Sequence, residues 1–317
     1  MAMMLMLERV WNLIAWYLRP LFKWLLRKTT RLCEMQRICY GQPAGALRAI
    51  GVEESMKQSR TKTIIDLMSY LDQKANERRF LGPSRAQVID YSVFAILKVK
   101  DIKPEIHSQF VRSISVCLDQ IWGYRQLSAE LEHLRRTPYD AAQPEHEAKL
   151  RQLWSLLCPV TELTERISPQ WKDIGFQGDD PKTDFRGMGV LGLDNLLFFS
   201  EHYTSVARHV LTHSHHPTYG YSFAIVGINL THLALQLVRS GQARSHFYNA
   251  CAGHATVTAF HRFYCYLFFK FDAFWLAAKP RDIMEFGSIR DQFAAQMRRT
   301  LADHSAKLDV RLAVKNL

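Results

Sequence analysis

Apolar residues along this chain recur at intervals of three and four far more than they alternate, and that period predicts helices. The segment 107–136, HSQFVRSISVCLDQIWGYRQLSAELEHLRR, places Phe110, Ile114, Cys117, Leu118 and Ile121 on one helical face. Pro104 lies just upstream, where a first turn tolerates it, and Gly123 predicts a bend. Residues 144–159 read as a helix with an acidic first turn and Pro159 beyond its end. Residues 164–177 are a shorter candidate, interrupted at Ser168-Pro169. The stretch 219–242 predicts a long buried helix ending at Gly241. Its start, Phe223 to Ile228, would suit a strand locally, but no second strand of similar quality exists to pair with it. Residues 255–278 are aromatic almost all round, as a central helix would be. Arg262, Lys270 and Asp272 make that segment too polar for a membrane span. Residues 282–304 close the chain as an amphipathic helix, and loops are expected at 41–51, 82–83, 137–144, 178–189 and 214–220. The fold class is all-α: a multi-helix domain preceded by helical elements and an amphipathic N-terminal helix.

The first 41 residues differ from the rest. Seven Lys/Arg stand against two Glu there, and the longest uncharged run covers only residues 10–18. That is well short of the ~20 residues a transmembrane helix needs, and each central Arg or Lys would cost about 2.5–3.5 kcal/mol on insertion. No small-residue cleavage site follows, which argues against a secretory signal. Arg19, Lys23, Arg27 and Arg31 recur every fourth residue and form one cationic stripe if helical. Ile14, Tyr17, Leu18, Leu21 and Leu25 project toward the opposite side, and Trp11, Trp16 and Trp24 suit the headgroup level. Pro20 is placed to kink such a helix. The pattern predicts a helix lying on a bilayer through Trp11, Trp16, Arg19, Lys23, Trp24 and Arg27; a helix docked on the protein's own core is the plainer alternative.

Composition adds little to this. With 317 residues, 48% hydrophobic, the chain can bury a sizeable core. A formal charge of +11 admits nucleic acid, an anionic membrane or an acidic protein as partner, or simply a solvated basic surface. The basic residues show no ordered interleaving with aromatics, so nucleic acid is disfavoured. Six cysteines, none in a C-x-x-C pair, are too few for a disulfide scaffold and fit reduced thiols in the cytoplasm. Cys33 and Cys39 lie close enough to the N-terminal segment for reversible acylation to be conceivable.

The chemistry concentrates in GDDPKTDFRGMGVLGL, residues 178–193, where Gly187, Gly189 and Gly192 spell G-x-G-x-x-G. A dinucleotide loop needs a buried strand before it and an acidic residue about 20 positions after it. Here a polar, Pro-containing stretch precedes the glycines, and no Asp or Glu occurs between Glu201 and Asp272. That excludes the cofactor reading, and no G-x-x-x-x-G-K-[ST] is present, so no cofactor is expected. The loop instead offers Arg186, a permanent cation whose planar fork can grip phosphate oxygens. Gly187 and Gly189 would let the backbone turn and approach another surface, and Asp184 is placed to orient the guanidinium. The bland alternative is a structural arginine bonded to loop carbonyls or to Asp179, Asp180 or Asp184.

Other clusters carry less. His202, His209, His213, His215 and His216 lack zincin spacing and read as exposed loop histidines. His246, His254 and His261 would join them only through the fold, and Asp179, Asp180 and Asp184 lack the alternation of a calcium loop. No metal is expected. No G-x-S-x-G elbow occurs.

The long stretch QWKDIGFQGDDPKTDFRGMGVLGLDNLLFF resembles the signature of the ELMO domain. CEMQRICYG, QIWGYRQL, YGYSFAIVGINLT, FYCYLFFKFDAFW and DIMEFGSIRDQF extend the likeness from about Cys33 to about residue 300. The chain is most similar to the short ELMO domain-containing proteins. With the amphipathic N-terminal helix read over 1–32 from its own pattern, that resemblance implies a helical region over 33–130, an ELMO domain over 131–305 and a tail over 306–317. It also implies GTPase activation toward Arf-family or Arf-like small GTPases. The arginine proposed for that role in W-x-x-x-G-F-Q-G-x-D-P-x-T-D-F-R-G falls here on Arg186, with Trp171, Gly175, Phe176, Gln177, Gly178, Asp180, Pro181, Thr183, Asp184 and Gly187 in place.

The resemblance thus implies an arginine supplied in trans to GTP hydrolysis, an effect of about 10³–10⁵ in rate. Trp171, Phe176 and Leu191 would support the loop from beneath, and Gln177 would touch the partner or cap a helix. The protein would work in the cytoplasm, peripherally on intracellular membranes. A scaffold that binds a small GTPase or an exchange factor without accelerating hydrolysis is the competing expectation, and a membrane adaptor working through its N-terminal helix is a third.

Overall fold

The computed structural model describes residues 18, 21–77 and 84–308. The fold is all-α, and no strand occurs among the described residues. Among the described residues, thirteen α-helices and three short 3-10 helices form two compact units, divided within the sixth helix between Asp119 and Gln120.

The first unit contains α1 (21–30), α2 (Glu34–Gly41), α3 (Ala46–Lys57), most of α4 (Lys62–Asn76), α5 (Arg85–Lys100) and the opening of α6 (Ser108–Arg136). Val52, Met56, Ile64, Leu71, Val88, Ile96, Phe110, Ile114 and Leu118 have essentially no exposure. Ser84 caps α5 by accepting from the Gln87 amide, which satisfies one of the orphan donors of a first turn. Near the end of the unit, the Arg85 guanidinium clasps the Asp119 carboxylate.

Helix α1 ends at Arg31, whose φ of 55° no helix accommodates. Its Leu21, Phe22, Trp24, Leu25 and Leu26 are all exposed, so these side chains lie outside the protein's own core. Lys23 pairs with Glu34 at 2.7 Å, and the Lys28 ammonium stands 5.7 Å from the Trp24 ring centre. Trp11, Trp16, Arg19 and the kink expected at Pro20 lie outside the described residues. Among the described residues no single helix is long and apolar enough to cross a membrane.

The second unit begins with the rest of α6 and continues through α7 (Pro144–Leu157), a 3-10 helix (Pro169–Ile174) and a second (Pro181–Gly187). It is completed by α8 (Gly189–His202), α9 (Thr204–Ser214), α10 (Phe223–Arg239), α11 (Arg244–Ala250), α12 (Val257–Ala278), a third 3-10 turn (Ile283–Glu285) and α13 (Phe286–Ala302). Helix α8 packs against α7, α9, α10 and α12, which explains why it is apolar on nearly every side. Helix α12 is likewise central: Phe260, Phe263, Tyr264, Phe268, Phe271 and Trp275 are fully buried. Each such ring contributes roughly 1.5–3 kcal/mol by leaving water. The indole of Trp275 donates to the Tyr219 carbonyl at 2.7 Å, so its polar edge is satisfied too.

Several local expectations are corrected. Residues 41–51 are not one loop, because α3 starts at Ala46 behind Gly45, whose φ is 108°. Helix α6 runs unbroken through Gly123; a Cβ there would stand 2.3 Å from His254 Cβ, so the glycine serves close packing rather than a bend. Residues 164–177 yield only the 3-10 helix from Pro169, capped by the Ser168 hydroxyl. The stretch 178–189 is largely helical too, as the Pro181–Gly187 helix. The histidines are not merely exposed loop residues. His202, His209 and His213 lie on α8 and α9, and His213 Nδ1 meets the buried Asp272 carboxylate at 2.7 Å. His215 contacts the Asp173 carbonyl, and His216 accepts the amides of Thr218 and Tyr219. Among the described residues no group of three or more His, Cys, Asp or Glu could hold a metal ion.

Candidate functional site

The motif folds into two short 3-10 helices because proline, serine and aspartate punctuate it at fixed offsets. Ser168 accepts the Gln170 amide and starts the first; the Ser168 amide donates to the Asp179 carbonyl at 2.9 Å and closes the intervening loop. Asp180 starts the second by accepting the Lys182 amide at 2.9 Å, with Pro181 in the first turn where no amide is needed. Gly175 ends the first helix at φ 83°. A Cβ there would lie 2.2 Å from the Phe223 amide nitrogen, and the Gly175 carbonyl accepts the Ile225 amide, so the loop closes directly on the start of α10.

An aromatic ladder lies beneath. Trp154 meets Trp171 edge-on at 5.5 Å, Trp171 meets Phe176 at 5.8 Å, and Phe176 meets Phe185 at 5.6 Å. Phe185 then stacks on Tyr139 at 5.4 Å. Trp171, Phe176, Phe185 and Leu191 are buried, and the Trp171 indole donates to the Arg166 carbonyl at 2.9 Å.

The acidic residues hold the loop rather than the arginine. The Asp180 carboxylate accepts from Arg166 Nη1 at 2.9 Å as well as from Lys182. Burial pushes its pKa up, but these donors outweigh that and keep it below the ordinary carboxylate range. Asp184 accepts the Gln177 amide at 2.9 Å, and burial raises its pKa. This corrects the expectation that Asp184 orients Arg186: its bond goes to Gln177, though the nearby guanidinium still favours its charged form. Asp179 pairs with Lys172 at 2.8 Å. Arg166 in turn bonds Glu147 at 2.5 Å, and Glu147 accepts the Tyr139 hydroxyl at 2.6 Å. Arg166, Glu147 and Tyr139 were not legible as site residues, since only the fold brings them together.

Arg186 is exposed at the end of the second 3-10 helix. Its Nε donates to the Thr183 carbonyl at 3.0 Å, while its two terminal nitrogens donate to no protein group among the described residues. The side chain borders a cleft of about 410 Å³ that also includes Gln177, Gly178, Thr183 and Asp184, with Ile225, Ile228 and Asn229 from α10. It also borders a second cleft, of about 310 Å³, on the side of α6.

The glycines divide in role. Gly187 has no positive φ and nothing within 4 Å of where a Cβ would stand, so it is no hinge. Gly189 has φ 53°, and a Cβ there would come 2.3 Å from the Thr137 carbonyl oxygen and 2.4 Å from that of Arg135. The G-x-G-x-x-G run therefore seats the start of α8 against the end of α6. The Val190 amide completes the junction by donating to Thr137 at 3.0 Å.

A comparison with known families covers most of this all-α unit. The ELMO/CED-12 family model matches residues 129–290, and the chain belongs to that family. It is 45% identical to ELMO domain-containing protein 2 of Mus musculus over 295 residues, 93% of this chain and 96% of that protein. ELMO domain-containing protein 1 of Mus musculus is 43% identical over 288 residues, 86% of this chain and 84% of its own length. ELMO domain-containing protein B of Dictyostelium discoideum is 32% identical over 285 residues, 89% of this chain and 94% of that protein. No solved structure matches the chain.

Proposed function

We propose that this protein activates GTP hydrolysis by an Arf-family or Arf-like small GTPase, with Arg186 supplied in trans to the transferring phosphoryl group. Charge builds on the γ-phosphoryl oxygens and the β–γ bridge as the bond breaks, and a guanidinium placed there lowers the barrier. One observation carries the reading. Arg186 is anchored through Nε alone, which leaves both terminal nitrogens facing outward as a fork. Arg166, by contrast, is held within the fold through Nε to Glu147 and through the terminal Nη1 to Asp180.

The exposed Leu21, Phe22, Trp24 and Leu25, with Lys28 beside Trp24, support a role at a membrane surface, where the protein would act as a peripheral cytoplasmic component. The test is single-turnover hydrolysis of GTP bound to a panel of Arf-family GTPases, with the purified full chain added. Accelerated phosphate release by at least one member is expected. Binding without acceleration would replace the activator with a scaffold for a GTPase or its exchange factor.

A further inference from the structure

The second cleft beside Arg186 differs in chemistry from the first. Four of its lining residues are cations, Arg135, Arg136, Lys182 and Arg186, and no carboxylate lines it. Exposed Pro138 supplies an apolar part to the same cleft, with Tyr139 and Phe185, both almost fully buried, forming its floor. Nearby charge does not cancel the rim. Glu132 is shared among Arg135 at 2.7 Å, Arg136 at 2.7 Å and Arg239 at 3.5 Å, so one carboxylate serves three guanidiniums. The Lys182 ammonium has no ion-pair partner among the described residues, and Arg136 keeps 72% of its side chain exposed.

Resting on the reading of Arg186 as an activator of a GTPase, we propose that this cleft receives an acidic segment of that GTPase. An apolar side chain of the segment would sit on Pro138, over the edges of Tyr139 and Phe185, and its flanking carboxylates would meet Lys182 and Arg136. A bare phosphate would satisfy the rim and leave the apolar part wet, whereas a polypeptide segment meets both. Charges on such a rim act through water and ions, so they govern encounter rate and salt dependence more than the reaction itself. Lys182 and Arg136 are therefore docking residues, and Arg186 is the group they deliver.

The experiment uses full-length Lys182→Glu, Arg136→Glu and the double variant with a GTPase that the wild type accelerates. Both side chains are exposed, and circular dichroism with thermal melting verifies folding. The double variant should raise the half-saturating concentration about 10-fold, leave the saturating hydrolysis rate within about 2-fold, and flatten the salt dependence seen with wild type. The milder Lys182→Gln should shift half-saturation in the same direction by less. Unchanged half-saturation and salt dependence would overturn the docking role, as would a fall in the saturating rate alone. Inorganic phosphate at matched ionic strength should compete poorly; saturable competition that the double variant abolishes would mean a small-anion site instead. If wild type accelerates no GTPase, the activator reading fails, and the cleft is judged by binding of GTP-loaded GTPases. Weaker binding by the double variant then sustains it, and equal or absent binding sinks it.

Discussion

Arg186 is tied to Thr183 by one hydrogen bond, from Nε to a carbonyl one turn back at 3.0 Å. That bond fixes the side chain near its root while leaving the fork outside. Lysine has no donor at the Nε position and no planar fork. Arg186→Lys should therefore keep the fold and lose at least ~10-fold in GTPase activation, given the size of such contributions. Near-wild-type activation by a folded variant would remove Arg186 from the chemistry.

Gly187 and Gly189 should respond oppositely to the same change. Gly187→Ala meets open space and should alter neither melting temperature nor activation. Gly189→Ala forces a Cβ onto the Thr137 and Arg135 carbonyls at a φ of 53°. Backbone strain alone costs about 1–3 kcal/mol there, before the collision is counted. Urea unfolding of the two variants side by side measures the difference.

Trp171 links the ladder to the loop. Trp171→Ala removes a fully buried indole and leaves the Arg166 carbonyl without its donor. A loss of about 3–5 kcal/mol is expected from the cavity. Activation should fall in the surviving folded fraction as well, because Phe176 loses the ring that backs it and Phe185 rests on Phe176 in turn. Chemical denaturation and single-turnover rates report the two effects separately.

Stability should decline in mild acid through His246. Burial, aided by Lys307, holds its pKa down to about 4, and Nδ1 accepts the Leu308 amide at 3.1 Å. A proton on that nitrogen would abolish the acceptor. The neutral ring is favoured in the folded state, so its contribution is complete above the unfolded histidine pKa of about 6.5 and is lost as pH falls toward 4. Each pKa unit corresponds to about 1.4 kcal/mol. The midpoint of urea unfolding should fall between pH 7 and pH 4.5, and His246→Gln should flatten that dependence even if it lowers stability throughout.

What the sequence revealed follows from the range over which each interaction acts. The helices 107–136, 144–159 and 282–304 were legible from their patterned sequence and end signals, and 219–242 and 255–278 because long, mostly apolar stretches suit buried helices. The short helix Pro181–Gly187 was not, since seven residues cannot display a period and Asp180, its cap, reads equally well as a turn residue. The glycines misled for a related reason: Gly187, Gly189 and Gly192 share a spacing, yet only Gly189 is constrained by backbone, and its constraint comes from α6. Arg186 was visible through the resemblance. Ile225, Ile228 and Asn229, which line the cleft beside it, are about 40 residues away along the chain and become neighbours only when Ile225 bonds back to Gly175.

The second 3-10 helix is pinned at its start by Asp180 and at its end by the junction of Gly189 with Thr137. Little main-chain freedom is left to surrender when something arrives. Aiming the guanidinium then costs no more than the rotamers of one side chain, about 2 kcal/mol at most. Association at this surface should accordingly proceed without a slow ordering phase, as a key meets a lock already cut.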